Sequence, residues 1–293
     1  MSKRRLGDRR DGVLCRDVPG LQSMMCHLWP KRTDCEVFIQ DKLDITEYLR
    51  YQETVNAAHP DFKTTVFHGF LFAIGRMIQE RPKMNRFIQG LRMYQRKEIS
   101  ISFVAKRQFS DNAEESLLFF VPTPEDTLCS FSRSVYERVR KTQKSEHATG
   151  GVDALLDKMM KLPYLLVALI VRIVRTLDFF GINPKALTEG DPNYSTVLVS
   201  NLGSIGCPSV YHHLSNYGTM SIMVTLGTIH REELAMADGT RQMRDVVDFS
   251  ATLDERIADG FYFARSLKLV HHMFLHPELF DRPLGEAIDF KFN

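Results

Sequence analysis

This sequence of 293 residues has few cysteines, little net charge and no apolar run of membrane-spanning length. Its five cysteines are odd in number, scattered and without a CxxC pair, which argues against a disulfide framework and against a zinc site. The net charge of +2 gives no electrostatic reason to expect nucleic acid as a partner. With 44% hydrophobic and 25% charged residues, the composition is typical of a soluble globular protein.

The amino terminus lacks the apolar core of a secretory signal. Its first residues are largely charged, and no apolar stretch follows them. We therefore expect a cytoplasmic, reducing location. Because Asp8 and Asp11 are interspersed among the basic residues, residues 1–20 are predicted to form a solvated N-terminal arm rather than a phosphate-binding patch.

The segment LPYLLVALIV, at Leu162–Val171, is apolar throughout but about half as long as a membrane-spanning helix. Two interpretations stay open for it. One is a buried helix that starts near Pro163. The other is a peripheral membrane contact through residues 162–171, because basic residues flank the apolar stretch. These flanking residues are Lys158, Lys161, Arg172 and Arg175.

Periodicity divides the rest of the chain into strands and helices. Alternating or short apolar runs predict strands at 35–46, 98–106, 115–123, 195–206 and 219–229. A helical repeat predicts helices at 64–80, 130–181 and 261–276, with a polar break at 145–151. An Asp-Gly turn at 238–239 predicts a β-hairpin. We find no internal repeat and no linker, so the pattern predicts one mixed α/β (α+β) domain over 1–293, a sheet with helices packed on it.

Three stretches, in order, resemble one family. LDITEYL with the following TTVFHGFLFAIGRMIQERPKMNRFI is similar to the strand and long helix near the start of chloramphenicol acetyltransferase. VLVSNLGSIG resembles the Ser-Asn-Leu-Gly strand end of the acyltransferase cores of 2-oxo acid dehydrogenase complexes. TLDERIADGFYFA is similar to the region of the His-x-x-x-Asp-Gly signature of these enzymes. The resemblance spans roughly residue 35 to the carboxyl terminus and is closest to the dehydrogenase acyltransferase core, without lipoyl or subunit-binding domains.

The resemblance implies a chloramphenicol acetyltransferase-like two-layer sandwich of mixed sheet and helices, assembled as a homotrimer with active sites between subunits. It implies acyl transfer between coenzyme A, or acyl-CoA, and a small thiol, hydroxyl or amine acceptor, without a metal. In this chemistry a histidine deprotonates the acceptor, and a serine hydroxyl donates a hydrogen bond to the tetrahedral oxyanion. Residues 130–190 resemble a helical elaboration on that core.

Carried over by position, the resemblance assigns roles to several residues. Ser200 corresponds to the serine that stabilises the oxyanion. Asp259 and Gly260 correspond to the structural Asp-Gly pair, and Arg256 to the arginine that follows the histidine. Arg32, upstream of the first strand, is the candidate ion-pair partner of Asp259.

Position 255 departs from the family, because Glu255 stands where the histidine belongs. An ordinary glutamate has a pKa of ~4.3 and a thiol ~8.5, so proton transfer between them is uphill by roughly 5 to 6 kcal/mol. Burial raises a glutamate's pKa and recovers part of this cost. His212 and His213, in the segment that follows Ser200, are candidate substitute bases. Two functions stay open: an acyltransferase with an atypical base, or a catalytically inactive binding or assembly protein on the same scaffold.

Overall fold

A computed structural model describes residues 5–106, 115–144, 159–188, 190–236 and 238–291. Its strands form two sheets, a small one of three strands and a large one of six. The strands are β1 (Gly12–Leu14), β2 (Glu36–Asp44), β3 (Arg86–Gln89), β4 (Arg92–Arg96), β5 (Ile101–Lys106), β6 (Glu115–Phe120), β7 (Val197–Asn201), β8 (Ile222–Ala235) and β9 (Arg241–Asp254). The helices are α1 (Gly20–Leu28), α2 (Thr46–Ala58), α3 (Val66–Glu80), α4 (Leu128–Lys144), α5 (Tyr164–Phe179), α6 (Lys185–Thr188) and α7 (Gly260–Leu275).

The large sheet is mixed and has the order β2-β9-β8-β7-β5-β6. β7 runs parallel to both of its neighbours, whereas the other pairs are antiparallel. The small sheet, β1-β4-β3, is antiparallel throughout. Helices pack on one face of the large sheet, which confirms the predicted mixed α/β class. The predicted pairing of residues 98–106 with 115–123 and the hairpin at Asp238-Gly239 are also present, as β5–β6 and β8–β9.

Side-chain alternation along the strands separates the two faces of the large sheet. On β9, Phe249, Ala251 and Leu253 belong to the main hydrophobic core. Successive side chains of a strand point to opposite faces, so Ser250 and Asp254 lie on the other face. We call this the polar face. The hydrophobic residues of β7 and β8 that belong to the core follow the same alternation.

Helix α3 is the centre of the helical layer, as its repeat predicts. Thr65 begins it by accepting a hydrogen bond from the backbone amide of His68 at 3.3 Å. Phe70 and Ile74 pack against the sheet, and Phe70 contacts the ring of Phe249 at 5.6 Å. Burial of apolar area at about 25 cal/mol per Å² is the main stabilising contribution of such a helix.

A loop of residues 207–217, which we call the covering loop, crosses the polar face. The backbone amide of Val210 donates to the hydroxyl of Thr225 on β8 at 3.0 Å. Ser209 and Ser250 share a hydroxyl–hydroxyl bond of 3.1 Å, which fixes the loop over β9. Further along, the ring of Tyr211 meets Phe38 of β2 at 5.4 Å. The covering loop therefore satisfies polar groups that would otherwise be buried without partners.

The predicted N-terminal arm is not solvated throughout its described residues, because Asp8, Arg9 and Gly12 are buried. Arg9 is only 1% exposed and binds the carboxylates of Asp178, at 2.7 Å, and Asp11, at 3.0 Å. β1 adds an edge strand to the small sheet. Asp11, one of the acids that dilute the basic run, is thus a partner of buried Arg9, and such a partner offsets the cost of burying the guanidinium.

The apolar segment at Leu162–Val171 forms a helix that begins directly after Pro163, as predicted, but the helix is not buried in the single chain. Leu165 is 67% exposed and Leu169 is 53% exposed. None of the helices within the described ranges combines the length and apolarity needed to cross a bilayer. The predicted polar break at 145–151 and the flanking Lys158 lie outside the described residues.

Candidate functional site

Ser200 lies at the carboxyl end of β7, on the polar face, level with Thr225 of β8. Its side chain is half-buried, and its hydroxyl makes no hydrogen bond to any residue that the structure describes. The chain then turns sharply at Leu202–Ile205. Gly203 is required there, because a Cβ at this position would lie 2.2 Å from the carbonyl oxygen of Gly227. The Ser-Asn-Leu-Gly motif thus builds a tight strand end that leaves the serine hydroxyl free.

Glu255 lies immediately after β9, where a short helical turn, Glu255–Ile257, begins. Its backbone amide donates to the carbonyl of Cys35 at 2.9 Å, which fixes the start of the turn. Its side chain is exposed and has no hydrogen-bond or ion-pair partner among the described residues. The carboxylate of Glu255 is therefore free to meet a ligand or another chain.

Within one chain, Ser200 and Glu255 do not converge. Ser200 is level with Thr225, which is level with Ser250 of β9. Glu255 follows Ser250 by five positions along β9. At ~3.3 Å per residue and ~4.8 Å between strands, the two positions are separated by roughly 16 Å along the sheet and roughly 10 Å across it. A site that uses both side chains requires a second copy of the chain.

His212 and His213 lie on the covering loop and are exposed. Their rings stack at 4.7 Å, and His212 Nδ1 lies 2.9 Å from the carbonyl oxygen of His213. The next amide, of Leu214, donates to the carboxylate of Glu36, which pairs across the strands with Asp254. The two histidines are therefore held between the Ser200 end and the Glu255 end of the polar face. The described residues contain no group of three or more histidine, cysteine or acidic side chains that could hold a metal ion.

Arg256 forms a buried ion pair with Asp254, two positions away. Two bonds join the guanidinium to the carboxylate, Nε to Oδ1 at 2.8 Å and Nη2 to Oδ2 at 2.7 Å. Burial lowers the pKa of Arg256, but the two bonds and the charge of Asp254 outweigh it, and the pKa is raised. A third bond runs to the carbonyl of Trp29 at 2.8 Å. This network fixes the turn that presents Glu255. Asp254 therefore positions that turn, although the sequence motif shows it only as an acid that precedes position 255.

The predicted ion pair between Arg32 and Asp259 does not form within the chain. The carboxylate of Asp259 accepts the backbone amide of Tyr262 at 2.8 Å and so caps α7. Gly260 is the first residue of that helix. The guanidinium of Arg32 donates to three backbone carbonyls instead, those of Ser215 at 2.5 Å, Gly218 at 2.6 Å and Ile88 at 3.2 Å.

Arg32 is a buried cation that binds no carboxylate among the described residues. It is 4% exposed, its Nε has no acceptor there, and burial lowers its pKa to about 10. It lines a cavity of about 160 Å³ together with Arg256. Lys31, Arg175 and Asp178 also line this cavity. Ser200 and Glu255 do not line it, so it is a separate basic cavity behind the turn.

A family model described as the catalytic domain of 2-oxoacid dehydrogenases acyltransferase matches residues 182–280, which include both Ser200 and Glu255. The chain is 22% identical, over 233 residues, to the lipoamide acyltransferase component of the branched-chain alpha-keto acid dehydrogenase complex of Bacillus subtilis (strain 168). The match covers 77% of this chain and 43% of that protein. The chain therefore spans less than half the length of this curated relative.

Solved structures show the same fold. A probable dihydrolipoamide acetyltransferase from Listeria monocytogenes 4b F2365 has a TM-score of 0.59 at 15% identity, covering 96% of this chain and 99% of that one. The cubic core of the pyruvate dehydrogenase multienzyme complex has a TM-score of 0.60 at 15% identity, covering 91% and 93%. A chloramphenicol acetyltransferase has a TM-score of 0.56 at 12% identity, covering 90% and 99%. The predicted chloramphenicol acetyltransferase-like fold and the resemblance to the acyltransferase catalytic domain are confirmed.

Proposed function

We propose that this chain, similar in residues 182–280 to the catalytic domain of the 2-oxoacid dehydrogenase acyltransferases, transfers an acyl group between coenzyme A and a small acceptor. The acceptor is a thiol, hydroxyl or amine. The working unit is a homotrimer, in which Ser200 of one subunit and Glu255 of the next face one site. All five cysteines are free, which supports action in a reducing cytoplasm.

The observation that carries this proposal is the strand register. It places a free hydroxyl and a free carboxylate at opposite ends of the same polar face. Neither side chain has a partner in the described part of its own chain. Rotating copies about a threefold axis can bring the Ser200 end of one sheet against the Glu255 end of the next. A site assembled in this way explains why both groups are left unpaired.

In the proposed reaction, Glu255 accepts the proton of the acceptor as that group attacks the thioester carbonyl. The tetrahedral intermediate carries a negative oxygen, to which the Ser200 hydroxyl donates a hydrogen bond. Collapse of the intermediate breaks the carbon–sulfur bond, and the departing coenzyme A thiolate takes the proton back. The Asp254–Arg256 pair holds the turn that aims Glu255, while Asp259 and Gly260 begin the helix behind it. His212 and His213 are the substitute bases if Glu255 only orients the acceptor.

The test measures transfer from acetyl-CoA to dihydrolipoamide by chromatography, with the purified full chain. Glu255→Gln should lower kcat/KM by at least ~10²-fold, the usual contribution of a general base. Ser200→Ala should lower it by ~10²-fold or more, as for other oxyanion donors. The matched control, His212→Ala with His213→Ala, should keep the rate. Full activity of Glu255→Gln, with loss in the double histidine variant, would instead assign the base to the covering loop.

The rival function is a binding or assembly protein without catalysis, and the glutamate at position 255 is the observation that favours it. Thermal unfolding measured with coenzyme A and with acetyl-CoA, up to millimolar ligand, separates the two functions. Stabilisation by ligand is expected from the transferase, because a ligand that binds the folded state raises its stability. If the ligands neither stabilise the protein nor are turned over, the result would favour the binding or assembly function. Glu255→His should raise thiol transfer if the rest of the site is intact.

A further inference from the structure

Helix α5 exposes a set of large apolar side chains that nothing in the described part of the chain covers. Among its 16 residues Asp178 is the buried one. This carboxylate binds Arg9 at 2.7 Å and the hydroxyl of Tyr194 at 3.2 Å, so α5 is fixed to the domain near its carboxyl end. The exposed apolar residues on or beside it include Leu165, Leu166, Leu169, Ile173, Phe179 and Phe180.

Among the exposed residues of α5, two neighbouring stripes stand out. Leu166, Leu169 and Ile173 follow spacings of three and four, which places them on one side of the helix. Arg172 and Arg175 belong to the adjacent side, and both are exposed. We call the two stripes together the α5 surface. It combines an apolar side with a cationic side, the pattern of helices that lie in a membrane interface.

The exposed charged side chains of the α5 surface are basic. Residues 159–177 contain Lys161, Arg172 and Arg175 and no acidic residue. Arg175 also lines the basic cavity, next to Lys31 and the buried Arg32. Among the described residues, Arg32 has no bound carboxylate and its Nε has no acceptor. The acid of α5, Asp178, is buried and paired with Arg9, so the exposed charge of the α5 surface is positive and its complement is an anionic surface.

We propose that the α5 surface docks the protein onto an anionic phospholipid bilayer. The apolar stripe enters the boundary between headgroups and acyl chains, and the cationic stripe lies against lipid phosphates. A spanning orientation does not fit, because 16 residues at ~1.5 Å each reach about 24 Å of a ~30 Å hydrocarbon core. The proposal uses none of the residues assigned to acyl transfer. Membrane docking and acyl transfer can therefore be tested separately, and either can be wrong while the other is right.

The first arm of the test uses flotation of the full chain with vesicles of phosphatidylcholine, with or without phosphatidylglycerol. Leu169→Gln with Ile173→Gln should weaken binding to the anionic vesicles at least ~10-fold, because two apolar side chains would no longer be buried in the bilayer. The matched control, Met243→Gln with Leu275→Gln, changes two side chains that are 54% and 47% exposed elsewhere. This control should bind like the unchanged protein.

The second arm tests charge. Arg172→Glu with Arg175→Glu should abolish the preference for phosphatidylglycerol, since basic residues near the surface attract anionic lipids and acidic residues are repelled by them. Arg231→Glu with Arg241→Glu makes the same change in net charge on the exposed β8–β9 hairpin and should keep the preference. Two results would overturn the proposal. One is no binding of the unchanged protein to anionic vesicles; the other is a smaller oligomer of the Leu169→Gln and Ile173→Gln variant in light scattering, which would make α5 a contact between subunits.

Discussion

Helices α3 and α5 are nearly equal in length and similarly apolar, yet they occupy opposite environments. α3 has 15 residues, of which twelve are buried, including His68 and Arg76. α5 has 16 residues, and Asp178 is the buried one. Hydrophobic composition therefore indicates that exposing a helix to water costs free energy, but it does not identify the surface that buries the helix.

The difference lies in the elements that surround each helix. α3 is enclosed by the large sheet and by neighbouring helices, and even its arginine has partners inside. Arg76 donates to the carbonyls of Leu279 and Glu286, both at 2.6 Å, so a charged side chain fixes the carboxyl-terminal segment to the core. α5 is fixed to the domain through Asp178 near its end. A helix held in that way is placed to meet a surface outside the domain.

The largest expected effect follows from truncating an aromatic residue in the enclosed helix. Phe72→Ala should lower the free energy of unfolding by ~3 to 5 kcal/mol, because Phe72 is fully buried and packs on Phe131 and Phe280. Denaturant unfolding at fixed protein concentration measures it. The same substitution at Phe180, which is 73% exposed beside α5, should cost less than ~0.5 kcal/mol. Equal losses would remove the contrast between the two helices.

The buried histidine of α3, His68, should make the stability of the protein depend on pH. Burial lowers its pKa from 6.5 to about 4, and its Nδ1 has no partner. Between pH ~6.5 and ~4 the unfolded chain binds a proton that the folded protein does not, so stability falls as the pH falls. The contribution amounts to about 3 kcal/mol across this window. In His68→Gln the loss of unfolding free energy across this pH window should be smaller by that amount, whereas an unchanged loss would mean that another group titrates.

The sequence predicts the elements whose periodicity is long and regular. β2, α3, the β5–β6 pair and the β8–β9 hairpin fall where alternation or a helical repeat places them. The small sheet was not predicted, because its strands have three to five residues and carry arginines at Arg86, Arg92 and Arg96. Burial of Arg9 was missed as well, since its partner Asp178 lies 169 residues away along the chain.

For the candidate site, motifs located the residues and left the geometry open. Ser200 and Glu255 were found by position, but strand register was needed to show that they lie apart in one chain. The predicted pairing of Arg32 with Asp259 does not form within the chain, because backbone carbonyls bind the two terminal nitrogens of the arginine. The positions of backbone carbonyls cannot be read from a sequence. The roles of these residues in acyl transfer stay predictions.

The smallest expected effect is the one that isolates α5. Leu169→Gln with Ile173→Gln, which should impair vesicle binding, should change the free energy of unfolding by less than ~0.5 kcal/mol, because both side chains are about half exposed. Denaturant unfolding in the absence of vesicles measures this. A loss of several kcal/mol would mean that a second subunit covers the helix in solution. An unchanged stability together with lost vesicle binding would show that the apolar residues of α5 bind an external surface. Those of α3, in contrast, stabilise the folded chain.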